Sequence, residues 1–358
     1  MRALVDCRYV RVGRHDGISR FTVGLVTELA WLLPVELLVS DERQLDHLPD
    51  LPWHLISAPT SWREPFVARQ VRRLHPDVVF SPMQTMGSWG RDYGLVLTLH
   101  DLIYYRHRTP PGGLPAAVRV LWRAFHLAWW PQRALLNRAD HVVTVSRTTQ
   151  HLMARHRLTR RPVTVVTNAA DPGLPTGTPS RHERRPGVLV YMGSFMPYKN
   201  VETLARAVAM LPGHVLHLMS RVTPSDRTRL SDLAGAERLV FHDGATDEEY
   251  WQVLRGATAL VSASRDEGFG IPLVEAMALG TPVVVSDIPV FREIGGDAAA
   301  YVDPGDAEGF AEAVRALADG GEWERRSTAA RARADRFAWD ASAAILADVL
   351  RRVAGARR

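Results

Sequence analysis

Residues 264–282 read Ser264-Arg265-Asp266-Glu267-Gly268-Phe269-Gly270-Ile271-Pro272-Leu273-Val274-Glu275-Ala276-Met277-Ala278-Leu279-Gly280-Thr281-Pro282. They follow a short apolar run at 259–262 and lead into helix-forming sequence. Pro272 suits a first helical turn, where its missing N–H costs nothing, and Gly280 suits the C-terminal stop. Gly268 and Gly270 let the backbone approach a ligand closely. A helix N-terminus beyond them offers unpaired N–H groups and the positive end of the helix dipole. The segment therefore predicts strand, glycine loop and helix, arranged to meet an anion. Glu267 in the loop and Glu275 in the early helix are placed to accept hydrogen bonds from ligand hydroxyls in one crevice. Taken singly, Glu275 also reads as an acid complementing the helix start.

Working outward, short apolar runs of strand length recur at 3–5, 35–39, 78–80, 95–99 and 142–145, with helical stretches such as 19–32 and 65–74 between them. This alternation predicts a parallel sheet with helices on both faces. At 172–186 the composition turns to Pro, Gly, Thr, Ser and Arg, which predicts a linker. The pattern then restarts, with strands expected at 188–192, 215–219, 239–241, 259–262 and 282–286, and helix over most of 306–352. The reading divides the chain into a domain at 1–171, a linker at 172–186, a second domain at 187–338 and a C-terminal helix at 339–358 that packs back on the first domain. The expected fold class is α/β, two doubly wound domains facing across a ligand cleft.

Composition sets wider limits. A chain of 358 residues exceeds the ~250–300 residues at which one core stops growing. Its apolar share of 46% and charged share of 23% are globular averages, which excludes wholesale disorder. Cys7 is the one cysteine, so no intrachain disulfide and no cysteine-built metal site can form. The apolar stretch at 25–39 is broken by Glu28, Pro34 and Glu36, and no run reaches the ~18 residues of a membrane span. With no leader-like run before Asp6, a cytoplasmic protein is expected. Of the 44 basic residues one is a lysine, Lys199, and 43 are arginines. The arginines are read as scattered and compositional, without a nucleic-acid motif. Lysine is a compact point charge where arginine is a planar fork, so the lone lysine singles out a tight phosphate contact.

The 264–282 segment resembles the Glu-x7-Glu motif of the retaining glycosyltransferases of family 4, enzymes of the GT-B fold with two Rossmann-like domains. The resemblance extends over nearly the whole chain. Residues Tyr191-Met192-Gly193-Ser194-Phe195-Met196-Pro197-Tyr198-Lys199-Asn200 are similar to that family's strand, loop and helix with a phosphate-binding lysine. Asp16-Gly17-Ile18-Ser19-Arg20-Phe21 is similar to its N-terminal glycine loop, and Leu99-His100-Asp101-Leu102 to a histidine motif of its first domain. Thr144-Val145-Ser146, then Asn168-Ala169-Ala170-Asp171, match the approach to the linker.

The resemblance implies roles. Glu275 would hold the nucleotide ribose and Glu267 the hydroxyls of the donated sugar. Gly268 and the backbone N–H groups around Phe269, Gly270 and Ile271 would face the sugar and diphosphate, with Gly193 and Ser194 in the loop before Lys199. Lys199 would neutralise the leaving diphosphate, the largest electrostatic demand of such a reaction. His100 would lie beside the donor sugar, and Gly17 would let the first loop approach phosphate or acceptor. The family's arginine beside the second-domain glycine is missing here: Gly193-Ser194 and Tyr198 stand in that neighbourhood, and Arg265 or Arg221 is the alternative cation.

No Asp-x-Asp triplet occurs, so no metal and no cofactor are expected, with the nucleotide-sugar as co-substrate. His151 and His156 lack helical zinc spacing. The resemblance implies a retaining, metal-independent hexosyltransferase. His100-Asp101-Leu102 resembles a subgroup rich in mannosyltransferases, which puts GDP-mannose ahead of UDP-hexoses; the acceptor would be a saccharide, a lipid-linked sugar or a natural product. Two other readings compete: a glycoside hydrolase using the two glutamates, and a non-enzymatic nucleotide- or sugar-binding module. Along 115–130, Val118, Leu121, Trp122, Phe125 and Trp129 share a helical stripe beside Arg119, Arg123 and His126. Burial against the sheet is favoured over weak peripheral contact with a membrane, because Val120 and Leu127 spoil the polar face.

Overall fold

The computed structural model describes residues 1–13, 16–110, 115–175, 177 and 183–357. Residues 176 and 178–182, inside the stretch expected as a linker, lie outside the described residues. The chain forms two compact units. Among the described residues one takes 1–110, 115–168 and 338–357, and the other lies between 169 and 337.

In the first unit seven strands make one parallel sheet: β1 Ala3–Asp6, β2 Val35–Val39, β3 Trp53–Leu55, β4 Val78–Ser81, β5 Gly94–Leu99, β6 His141–Thr144 and β7 Val163–Val165. Their order is β3-β2-β1-β4-β5-β6-β7. The central strands β1, β4, β5 and β6 are buried throughout, as their unbroken apolar runs require. Edge strands β3 and β7 are three residues long with no buried residue, and they escape the sequence reading.

Helix Gly17–Leu32 and the C-terminal helix Trp339–Gly355 pack together in this unit. Phe21 and Trp339 meet edge to face at 6.4 Å. A Cβ on Gly24 would overlap the Trp339 indole, so glycine sets how closely the two helices approach. Ser342 Oγ donates to the Thr167 carbonyl at 2.9 Å, tying the last helix to the chain's exit from β7.

Helix Ala116–Leu127 corrects an expectation. It is not buried against the sheet: Val118 is 43%, Val120 64%, Leu121 70% and Leu127 64% exposed. Trp122 and Phe125 turn inward, Trp122 meeting Tyr104 edge to face at 5.0 Å. The acids, unlike the arginines, are unevenly spread. Residues 102–170 hold eleven arginines and one acid, Asp140, while the other 289 residues carry a net charge of −5.

The second unit repeats the plan. Strands β8 Arg185–Tyr191, β9 Val215–Leu218, β10 Leu239–Phe241, β11 Ala257–Ser262, β12 Val283–Ser286 and β13 Ala300–Val302 form a parallel sheet in the order β10-β9-β8-β11-β12-β13. Both sheets thus run outward from the first strand in one direction and from the fourth in the other. That is the doubly wound, Rossmann-like arrangement, and it opens a crevice outside the carboxyl ends of the two central strands. The core packs Leu189, Tyr191, Leu204, Leu216 and Phe310 between sheet and helices.

Candidate functional site

The crevice of the second unit lies beyond the ends of β8 and β11. The two segments singled out in the sequence leave from those two strands. After β8 the chain passes Gly193 and exposed Ser194 and makes a single 3₁₀ turn, Pro197–Lys199. Gly193 is confined: a Cβ there would stand 2.8 Å from the Tyr191 hydroxyl, which donates to the Ser194 carbonyl at 2.6 Å. Asn200 then takes a left-handed conformation (φ +53°) and starts helix Val201–Ala209. Its buried amide donates to the Ala263 carbonyl at 3.1 Å and the Pro304 carbonyl at 2.5 Å, anchoring the turn to the ends of β11 and β13.

After β11 the loop carries Glu267 to Lys199: Nζ and Oε1 are 2.5 Å apart, and the two side chains are 16% and 13% exposed. Ser264 Oγ donates to the same oxygen at 2.9 Å, and Lys199 Nζ also lies 5.4 Å from the Tyr198 ring centroid. The Arg265 amide donates to the Tyr198 carbonyl at 2.8 Å, locking the two loops backbone to backbone. Two residues 68 positions apart in sequence therefore form one charged pair at the crevice.

Helix Ile271–Ala278 follows as expected, with Pro272 in its first turn. Its N-cap is Gly270, left-handed at φ +100°, and no side chain caps it. The first amides of such a helix lack intrahelical acceptors, so this end is open to an anion. A residue with a Cβ would be strained here and would press on Phe291 at 3.0 Å. At the other end the Thr281 amide bonds the Ala276 carbonyl and the Gly280 amide the Met277 carbonyl, with Gly280 at φ +72°. This double closure is the Schellman stop that the glycine implied.

Glu275 is the fifth residue of the helix and 2% exposed. It is not an exposed acid complementing the helix start, because the first turn holds no acid. Phe269 is 4% exposed and meets Phe337 edge to face at 5.6 Å, so its side chain is core and only its backbone can serve a ligand. Gly268 is buried, and Ile271 is the first helical residue. Arg265 is exposed, its guanidinium 3.5 Å from Asn200 Oδ1; Arg221 is exposed.

Gly17 and His100 belong to the first unit. Gly17 is the exposed first residue of helix Gly17–Leu32, whose Asp16 cap accepts from the Ile18 and Ser19 amides. His100 directly follows β5, and its Nε2 lies 2.8 Å from the Pro82 carbonyl. A carbonyl only accepts, so Nε2 carries the proton and the neutral ring keeps Nδ1 as an acceptor. Burial lowers its pKa, which favours that neutral form. Phe21 packs edge to face on the ring at 4.9 Å.

Two residues that position the site, and one buried charge of the first unit, escaped the sequence reading. Asn200 and Ser264 give no signal beyond standing next to the motif residues. Arg8 is different: it is buried at the end of β1, pairing with Asp6 at 2.7 Å and Glu64 at 2.6 Å. Charges at positions 6 and 8, beside an apolar strand, were a readable sign of that buried network. Among the described residues no group of three or more His, Cys, Asp or Glu could hold a metal ion.

The chain matches two family descriptions: Glycosyltransferase Family 4 over residues 16–174 and Glycosyl transferases group 1 over 179–335. It is 24% identical over 330 residues to the O-antigen chain mannosyltransferase RfbU of Salmonella typhimurium, covering 86% of this chain and 89% of that protein. Sucrose-phosphate synthase from Thermosynechococcus elongatus superposes with a TM-score of 0.77 at 21% identity, over 99% of both chains. Anabaena HepE, solved in complex with UDP-glucose, superposes with a TM-score of 0.74 at 18% identity, over 98% of this chain and 100% of the other.

Proposed function

Because the chain belongs to the group 1, family 4 glycosyltransferases and has their GT-B fold, we propose that it moves a hexose from a nucleotide-diphosphate sugar to a saccharide, lipid-linked or natural-product acceptor, with retention and without a metal ion. The observation that carries this reading is the Lys199–Glu267 pair at the crevice between β8 and β11, beside the uncapped start of helix Ile271–Ala278. Lys199 and the helix start put positive potential where a leaving diphosphate needs it. Glu267 is poised to exchange its contact with Lys199 for donor-sugar hydroxyls, leaving the lysine to the diphosphate. Glu275, held deep in the helix, serves the ribose. His100, neutral with Nδ1 as acceptor, serves a sugar hydroxyl.

GDP-mannose is placed ahead of UDP-hexoses. Its support is the His100-Asp101-Leu102 form together with the similarity to a mannosyltransferase. The similarity to HepE, solved with UDP-glucose, keeps UDP-hexoses close behind. The hydrolase reading is weaker, because the Lys199 charge and the uncapped helix start at Gly270 suit a phosphate-bearing donor, which a hydrolase working with two carboxyl groups does not need.

A thermal-shift panel tests the reading. Selective stabilisation by GDP or UDP supports a nucleotide-sugar transferase, stabilisation by free sugars alone supports the hydrolase, and stabilisation by oligonucleotides supports a nucleic-acid binder. Retention is read by NMR of the product linkage: an α-configured donor giving a β-linked product removes that part of the proposal.

A further inference from the structure

Helix Ala116–Leu127 is apolar on two sides but covered on one. Trp122 and Phe125 rest on the first unit, through Tyr104 and the core. Val120, Leu121, Ala124 and Leu127 recur at helical spacing on another side, and all four are exposed. Arg119 and Arg123 flank that ridge, and Trp130 beyond its end is 69% exposed.

Beyond the ridge the chain enters a basic hollow of the same unit. Trp129 stacks on His156 at 4.2 Å, and the His156 carbonyl accepts from Arg133 at 2.9 Å. Arg133, Arg157, Arg160 and Arg161 line an open cavity of about 1130 Å³. Arg133 and Arg161 donate to backbone carbonyls rather than to carboxylates. The one acid of residues 102–170, Asp140, is already held by Arg91 at 2.7 Å. The positive charge of the hollow therefore has no counter-charge from its own segment.

We propose that this face of the first unit docks on an anionic lipid bilayer, the Val120–Leu121–Leu127 ridge entering the headgroup layer and the arginine hollow taking lipid phosphates. Aliphatic side chains gain by leaving water for the acyl boundary, and arginine pairs bidentately with phosphate. A basic segment beside an apolar helix face is what an anionic leaflet attracts. Nucleic acid would satisfy the arginines but leave the aliphatic ridge in water, so lipid accounts for both features.

The test is flotation of the full chain with phosphatidylcholine vesicles and with mixed phosphatidylcholine–phosphatidylglycerol vesicles, at low and high salt. Two variants are compared, Leu121→Glu/Leu127→Glu on the ridge and Arg157→Ser/Arg160→Ser/Arg161→Ser in the hollow. All five positions are exposed, so both variants should keep the wild-type circular dichroism and Tm. The wild type should float with the phosphatidylglycerol vesicles in a salt-sensitive way, and each variant should bind at least about tenfold more weakly. Absence of flotation, variants that float like the wild type, or tighter binding to a single-stranded oligonucleotide that ignores the leucine changes would each overturn the proposal.

Discussion

Lys199 Nζ lies 2.5 Å from Glu267 Oε1, so the chain's one lysine is paired with the first glutamate of the 264–282 segment. Removing the lysine leaves Glu267 its hydrogen bond from Ser264 but no cation. Lys199→Ala should lower transfer by roughly 10²–10³-fold and cost roughly 1–3 kcal/mol of stability, read by turnover and by urea melts. Lys199→Arg should also fail, because a planar fork does not reproduce a point contact on a diphosphate. An arginine variant with wild-type turnover would show that any cation suffices.

The two glutamates should separate by readout. Glu275→Ala should mainly weaken binding of the bare nucleotide, and Glu267→Ala mainly lower turnover. Ribose contacts hold ground and transition states alike, while contacts to the donated sugar tighten as charge develops. Calorimetry with GDP and UDP checks this: equal loss of affinity in both variants would mean the two roles are wrongly assigned.

Activity should survive EDTA with at most a modest loss. On the proposed reading, Lys199 and the open helix start at Gly270 supply the positive charge for the leaving group. Complete loss on chelation, restored by one divalent ion, would defeat the metal-independent mechanism.

His217 should give the second unit a pH-dependent component of stability. Burial lowers its pKa to about 4, helped by His242, whose Nε2 is 2.9 Å from His217 Nδ1, and by Arg185. An unfolded histidine titrates near ~6.5, so the folded chain takes up this proton less readily than the unfolded one. The contribution is therefore full above that value and is lost as pH falls toward about 4. Across that window the Tm of His217→Gln should fall less steeply than that of the wild type. Identical slopes would show that His217 is not the group responsible.

What the sequence made legible was local. Pro272 and Gly280 bound the helix they bracket because caps are decided within a few residues. The buried central strands were visible as apolar runs, whereas edge strands β3, β7 and β13 are three residues each and partly exposed. Periodicity showed which side chains of helix Ala116–Leu127 share a face, but not what covers it, and burial was the wrong expectation. The charge block at 102–170 was countable, yet a chain so rich in arginine masked it. The Lys199–Glu267 contact was not legible as a contact: spacing within each motif says nothing about a partner 68 residues away, and it depends on β8 and β11 being neighbours. Asn200, which ties that turn to two strand ends, was hidden for the same reason.

The most direct test is release of nucleoside diphosphate from a panel of GDP- and UDP-sugars by the wild type and Lys199→Arg in parallel. Turnover of at least one donor, with GDP-mannose first, and its collapse in the arginine variant is the predicted result. A wild type that releases nucleotide from no donor while splitting simple glycosides would contradict the account.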